Sequence, residues 1–390
     1  MNSPQALVDT LKQIRDFTRA EVMGKHDQLD ALAEAPLPLY ETFTQTGLSN
    51  WWLPEDVGGR GLSLEDSVDI VSELSYADAG VAFTTFISIL GTTMVSLYGS
   101  TELRQRLLAP MVSEGGYCAT LGSEAAAGSE LTKISTVVKQ DGDDLVITGR
   151  KSFSTNSGFA DFLVVIARSG DSPDEHVAVV VPSGTPGLTI ERRWNMIGLR
   201  ASGTYQVALD GCRVPAGNAL GGSGLRLLEI ALNASRILIA TTAIGIARCI
   251  RDLCLEYGKR KSLHGGKLVS NQLFGSKLAD MEVGITAMRD VCRAAARDFD
   301  SVMSNPDAAG KFLQEGALKS AITAKIFCGR VGWDIASTGS EMFGGLGYTN
   351  ELLIGKLVRD MRYVSIVEGG DDVLRDLLYK RFVIPVAKRA

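Results

Sequence analysis

The order in which hydrophobic periods follow one another most constrains how this chain can fold. From Ala6 to about Leu108 the apolar residues recur at helical spacing. From about Gly116 to Val214 the character changes to short β-rich runs. Leu145–Thr148, Phe162–Ile166, Val177–Val181 and Tyr205–Leu209 are the clearest, with Asp141-Gly142 and Asp210-Gly211 as turns between them. Helical spacing then returns, with long stretches at Leu225–Tyr257, Asn271–Val302, Phe312–Ser340 and Asp371–Val386. A β-rich segment between two helical ones predicts an α+β chain with a helical domain over 1–115, a β domain over 116–224 and a helical-bundle domain over 225–390. Ser63 offers an N-cap and Asp66 an acidic N3 residue for a helix from Leu64. The glycine-rich run Glu55–Leu62 lacks Gly-x-Gly-x-x-Gly spacing and follows no predicted strand, so it reads as a turn.

Composition narrows the function classes. The 390 residues, 45% hydrophobic and 22% charged, suit a soluble globular protein of two or three domains. A net charge of −5 with no Lys/Arg-rich block argues against nucleic acid as a partner. The longest apolar run, around Ile237 to Ala247, is broken by threonines and Gly245 and falls short of the roughly 20 residues a membrane span needs. Met1 to Asp9 carries no secretory pattern. The six cysteines are scattered without a Cys-x-x-Cys pair, and His26, His176 and His264 lie far apart. These features predict reduced thiols, no metal centre and a cytoplasmic location.

The segment with the most chemical content is Ile366-Val367-Glu368-Gly369-Gly370-Asp371-Asp372. One carboxylate sits between aliphatic residues and a Gly-Gly pair, just before an amphipathic stretch. Apolar neighbours desolvate a carboxylate and raise its pKa, which suits a general base. Alone, the window favours a solvated glutamate preceding a helix.

Three other segments change that balance. Ser123-Glu124-Ala125-Ala126-Ala127-Gly128-Ser129-Glu130, Lys151-Ser152-Phe153-Ser154-Thr155-Asn156 and Glu341-Met342-Phe343-Gly344-Gly345-Leu346-Gly347-Tyr348 accompany the Glu368 segment in order and at consistent distances. Together the four resemble the acyl-CoA dehydrogenase family, over nearly the whole chain. The resemblance implies a helical N-terminal domain, a central β-barrel-like domain and a C-terminal four-helix bundle. It implies FAD as cofactor, an acyl thioester on coenzyme A or an acyl carrier protein as substrate, an electron acceptor, and a homodimer or homotetramer.

Residue roles follow from the resemblance alone. Glu368 would be the base, taking an α-proton while a hydride leaves the β-carbon. Relatives that place the base on the central helix do so where this chain has Ser235, which leaves Glu368 without a rival. Phe153 would cover the flavin ring, with Ser154 and Thr155 donating to it and Thr120, Ser123 and Ser129 beside it. Gly370 and Asp372 would lie near the flavin. Lys261, Gln272, Glu341, Phe343, Gly344 and Gly345 would grip the far end of FAD from a neighbouring subunit. Ser129, Ser202, Asn233, Arg236 and Gly369 would meet the substrate. Glu341 departs from the family, since a carboxylate facing phosphate repels it unless a lysine intervenes. Val367 replaces the family's usual aromatic.

The segments Ala119–Glu124, Leu232–Ala240 and Glu368–Asp376 resemble a narrower branch, the acyl-carrier-protein dehydrogenases of polyketide extender-unit synthesis. That branch implies a small hydroxylated three-carbon acyl group on a carrier protein, bound for hydroxymalonyl or methoxymalonyl units. A β-oxidation acyl-CoA dehydrogenase, a flavin monooxygenase on the same fold and a non-catalytic carrier-protein-binding subunit stand as alternatives. The base glutamate speaks against the monooxygenase.

Overall fold

The computed structural model describes residues 4–384 apart from 171 and 173. Seven helices come first: α1 (Pro4–Glu21), α2 (His26–Ala31), α3 (Leu37–Gln45), α4 (Leu64–Ala77), α5 (Ala79–Phe86), α6 (Ile89–Tyr98) and α7 (Thr101–Ser113). The start of α4 is set by a capping box. Ser63 Oγ accepts from the Asp66 amide at 3.0 Å, and the Asp66 carboxylate accepts from the Ser63 amide at 3.1 Å. Asp78 ends α4 and caps α5 through the amides of Gly80 and Val81.

Seven strands form one sheet: β1 (Cys118–Leu121), β2 (Val137–Asp141), β3 (Asp144–Thr155), β4 (Phe162–Ser169), β5 (His176–Pro182), β6 (Leu188–Arg193) and β7 (Thr204–Pro215). The order is β1-β4-β2-β3-β7-β6, with β5 on β4. β4 runs parallel to β1 and β2, and the remaining ladders are antiparallel. The sheet curls on itself, and among the described residues no ladder joins β5 to β6. Between Lys151 and Ser154 the β3–β7 register slips, so Ser152 and Phe153 together oppose the single residue Gln206. That bulge re-aims the strand where the site begins.

The C-terminal half comprises α8 (Gly224–Arg260), α9 (Gln272–Met303), α10 (Ala308–Glu315), α11 (Lys319–Met342), α12 (Leu353–Met361) and α13 (Asp371–Leu378). α8 is central, packing on α4, α9 and α11. Its Gly245 lies so close to α4 that an added Cβ would sit 2.1 Å from Ser75 Oγ and 2.5 Å from the Ser72 carbonyl. The main core is shared by both helical parts, including Ile70, Leu74 and Phe86 with Ile237, Ile244, Met288 and Ala324. Two helical stretches, Ala79–Tyr98 and Gly224–Arg260, are long and apolar enough to cross a bilayer. The expected shortfall at Ile237–Ala247 therefore does not hold, but the apolar windows of the two stretches are 89% and 94% buried within the protein.

The helical stretches differ from the expected ones in three ways. Phe312–Ser340 is two helices, because Gly316 turns the chain at φ +65°. The fourth stretch is α13 followed by a π-turn over Tyr379–Val383, and its expected end at Val386 lies outside the described residues. Between them stands α12, which no expected stretch covered.

Candidate active site

A cavity of about 510 Å³ opens where the sheet, α5–α6, α8 and the segment 362–373 meet. Phe83, Ile87 and Leu90 supply one apolar wall, and Met196 to Leu199 another. Glu368 lies in the turn between a short 3-10 helix (Arg362–Ser365) and α13. The Ile366 and Val367 amides both bond the Tyr363 carbonyl, tightening the turn so that Glu368 takes φ +53° and Gly369 φ +94°. A left-handed glutamate costs about 1–3 kcal/mol and persists only where its surroundings hold it.

Three side chains reach the turn. Ser235 Oγ on α8 donates to Glu368 Oε2 at 2.6 Å. Arg236 Nε donates to the Glu368 carbonyl at 3.0 Å, and Lys325 Nζ on α11 to the Gly369 carbonyl at 2.9 Å. The other carboxylate oxygen, Oε1, is buried and has no partner, and among the described residues the Glu368 amide donates to no acceptor. Burial pushes the Glu368 carboxyl up to about 7, against the opposing pull of Ser235, Arg236 and Lys325. A half-titrated carboxyl at neutral pH with one free oxygen is a general base aimed at the cavity.

Another part of the cavity lining is a flat aromatic surface. The bulge in β3 holds Phe153 at φ +55° and leaves it 55% exposed. Its ring stacks on Trp194 with centroids 4.6 Å apart, and the Arg192 guanidinium lies 3.8 Å from the Trp194 ring centre. Thr155 Oγ1 lies 3.0 Å from Thr204 Oγ1 at the cavity edge, and Thr120 presents a buried hydroxyl with no partner. Beneath this wall Lys151, fully buried, joins the Gly122 carbonyl and Glu124 Oε1, both at 2.9 Å. Glu124 also accepts from Ser135 and Thr136, and its carboxyl falls to about 2. This knot fixes the 122–124 loop from behind, so Ser123 faces the cavity.

The structure gathers Glu368, Gly369, Gly370, Thr120, Ser123, Ser129, Phe153, Thr155, Ser202 and Arg236 around the one cavity. It removes others. Ser154 is buried on the far side of the bulge, because shifting Phe153 outward turns its successor inward. Asn233 is a strut, donating to the Gly316 carbonyl at 2.8 Å and accepting from the Leu318 amide at 2.7 Å, and so bridges the α10–α11 break. Asp372 is solvent-exposed and paired with Arg375 at 2.7 Å. Lys261, Gln272, Glu341, Phe343, Gly344 and Gly345 lie off the cavity, near the ends of α8, α9 and α11. There Phe343 packs on Tyr257 and Glu341 pairs with Lys277 at 3.2 Å, so a lysine does stand beside the carboxylate.

Sequence reasoning missed the roles of Ser235, Lys325 and the Met196–Leu199 wall. Ser235 was visible, but as the absence of a second base; nothing in sequence shows that its hydroxyl meets Glu368. Lys325 carried no local mark, since an isolated lysine in an apolar helix face reads as a snorkelling side chain.

A planar aromatic wall, an unpartnered buried hydroxyl and further hydroxyls at the rim fit a flavin ring and its ribityl chain. Glu368 stands on the segment that would face such a ring across the acyl group.

Three family models match in register. Those described as the N-terminal, middle and C-terminal domains of acyl-CoA dehydrogenase cover residues 6–115, 119–212 and 222–383. A probable acyl-CoA dehydrogenase of Bacillus subtilis is 29% identical over 382 residues, 95% of this chain and 96% of that protein. The solved butyryl-CoA dehydrogenase of Megasphaera elsdenii superposes with a TM-score of 0.87 at 26% identity, covering 96% of this chain and 97% of that one. FkbI, described as serving biosynthesis of the methoxymalonyl extender unit of the polyketide Fk520, superposes with a TM-score of 0.83 at 25% identity, over 96% and 99% of the two chains.

Proposed function

The chain belongs to the acyl-CoA dehydrogenase family, and from that premise we propose that it oxidises a small acyl group carried on an acyl carrier protein, with Glu368 as the base. The coarser activity is FAD-dependent dehydrogenation of an acyl thioester. FAD, the cofactor of this family, supplies the hydride acceptor when bound. Phe153, Thr155, Thr120, Ser123 and Ser129 would hold its flavin end.

The observation that carries the assignment of the base is the free Oε1 of Glu368 beside a fixed Oε2. Oε1 takes the α-proton while Ser235 holds the carboxylate against rotation. The unpartnered Glu368 amide lies where a thioester carbonyl would accept from it, and charge developing on that oxygen is stabilised by a dipole already oriented. The positive charge of Arg236 on the Glu368 carbonyl keeps the amide and the carboxylate in one rigid unit. Apolar walls exclude water, which keeps the carboxyl high and the proton transfer direct.

The carrier-protein substrate and extender-unit pathway draw support from the branch-like segments Ala119–Glu124, Leu232–Ala240 and Glu368–Asp376, and from the likeness to FkbI. Val367 in place of an aromatic reshapes the cavity beside the base. A second reading, a β-oxidation acyl-CoA dehydrogenase, fits the same relatives equally well. We place the protein in the cytoplasm as part of the same proposal, and assign the off-cavity cluster around Lys261 and Glu341 to the FAD bound by a neighbouring copy.

Anaerobic bleaching of the flavin by a panel of thioesters tests this. Reduction by a three-carbon hydroxyacyl carrier protein, with butyryl-, hexanoyl- and octanoyl-CoA much slower, supports the proposal. Comparable rates with those CoA thioesters place the enzyme in β-oxidation, and release of FMN instead of FAD on denaturation ends the flavin assignment.

A further inference from the structure

Lys325 is a buried cation that the reaction above does not use. Its side chain has no accessible surface, and among the described residues it makes no ion pair. Burial lowers its pKa to about 8. An ammonium held in a protein interior without a carboxylate is costly, and an aliphatic side chain of similar volume would pack there at less expense. Packing therefore does not account for it.

Its hydrogen bond to a backbone carbonyl does. Lys325 Nζ bonds the Gly369 carbonyl at 2.9 Å, while Arg236 Nε bonds the preceding carbonyl, that of Glu368, at 3.0 Å. Two cations from two helices thus hold two successive peptide oxygens, those of Glu368 at φ +53° and of the Gly369 that follows it at φ +94°. We propose that Lys325 is a positioning residue that clamps the left-handed turn of Glu368 and favours its ionised form. The inference deepens the dehydrogenase reading and rests on Glu368 being the base. The charged and titratable groups around the pair are Arg236 from α8, Asp371 from the start of α13 and Tyr363 from the 3-10 turn, with Glu229 and Arg381 acting on Arg236. Against this background the Lys325 charge pulls the Glu368 carboxyl down, opposing burial.

Three variants of the FAD-loaded protein separate the roles. Lys325→Met removes donor and charge, Lys325→Gln keeps a donor for the Gly369 carbonyl without charge, and Lys325→Arg keeps both. The readout is the infrared titration of the protonated-carboxyl stretch of Glu368, identified by its loss in Glu368→Gln. Flavin content and dithionite bleaching report that each variant is folded. The midpoint rises in Lys325→Met and Lys325→Gln and returns toward wild type in Lys325→Arg. If Lys325→Met does not fold, Lys325→Gln carries the comparison. A midpoint unchanged in the uncharged variants overturns the proposal. The titration needs no thioester, so a wild-type flavin that no substrate bleaches would defeat the dehydrogenase reading separately.

Discussion

Ser235 Oγ on the central helix lies 2.6 Å from Oε2 of Glu368, 133 residues further along the chain. The hydroxyl donates, so it stabilises the ionised carboxylate and fixes which oxygen stays free. Ser235→Ala removes that donor. Hydrogen bonds to a charged group contribute about 1.5–3 kcal/mol, and a shift of one pKa unit corresponds to about 1.4 kcal/mol. The acid limb of flavin reduction therefore moves to higher pH in Ser235→Ala, and the rate on that limb falls roughly 10- to 150-fold. Ser235→Thr keeps the donor and stays near wild type. Stopped-flow reduction across the neutral range checks this; an unmoved limb would mean that the bond is incidental.

Glu368 itself gives a pH dependence of definite sign. Its carboxyl ordinarily titrates at 4.5 and here at about 7. The base works only when ionised, so reduction by substrate rises through about pH 7 and then levels off. Stability runs the other way. Below 4.5 the group is protonated in both folded and unfolded chains and costs nothing. The cost of burying its charge grows as pH rises from 4.5 and is complete above about 7. Glu368→Gln should thus melt higher than wild type in alkaline buffer and equally in acid buffer. Its reduction by substrate should fall at least about a hundredfold, with dithionite still bleaching the bound flavin. A melting difference that does not vary with pH would contradict the raised carboxyl.

The fold was legible because period and order survive without tertiary information: the capping box at Ser63 and Asp66, the turn at Asp141-Gly142 and the long α8 are all local. Short connected elements were not. The break at Gly316 depends on Asn233, 83 residues away, satisfying backbone groups on both sides of it. For the site, Glu368, Phe153 and Arg236 were legible through motif resemblance. Ser154, named together with Thr155 through the same resemblance, lies off the cavity because neighbouring strand residues face opposite ways, and Lys325 was invisible because its partner is a backbone carbonyl, which has no signature in side-chain pattern.

Strand alternation separates two neighbouring hydroxyls. Thr155 faces the cavity, whereas Ser154 is buried away from it with its Oγ unpartnered. One neutral hydrogen bond contributes about 0.5–1.5 kcal/mol, so Thr155→Ala should weaken FAD binding by roughly 2- to 12-fold. Ser154→Ala should leave it within about twofold and cost no stability, because a buried hydroxyl without a partner gains nothing from being there. Titration of apoprotein by flavin fluorescence measures both. Equal weakening by the two would put Ser154 back on the cofactor side.

The last prediction concerns the apolar walls formed by α5 and the Met196–Leu199 loop. Lys356 on α12 is buried between Asp78 and Asp360, with ion-pair distances of 2.8 and 2.5 Å. Asp78 caps α5, which carries Phe83, and Asp360 accepts the Leu199 amide at 2.7 Å. The triad therefore ties an N-terminal helix and the Met196–Leu199 loop to α12, and both line the cavity. Lys356→Met leaves two carboxylates buried without a counter-ion. Breaking a buried pair in this way costs about 3–5 kcal/mol, whereas replacing every member by neutral groups is often close to neutral. Lys356→Met should lose stability of that order, and adding Asp78→Asn and Asp360→Asn should recover most of it. The asparagine oxygens can still accept from the α5 amides and from Leu199, so the loop keeps its place. Urea unfolding with an unchanged m-value measures the difference. A single variant within about 1 kcal/mol of wild type would show that water reaches the triad and screens it.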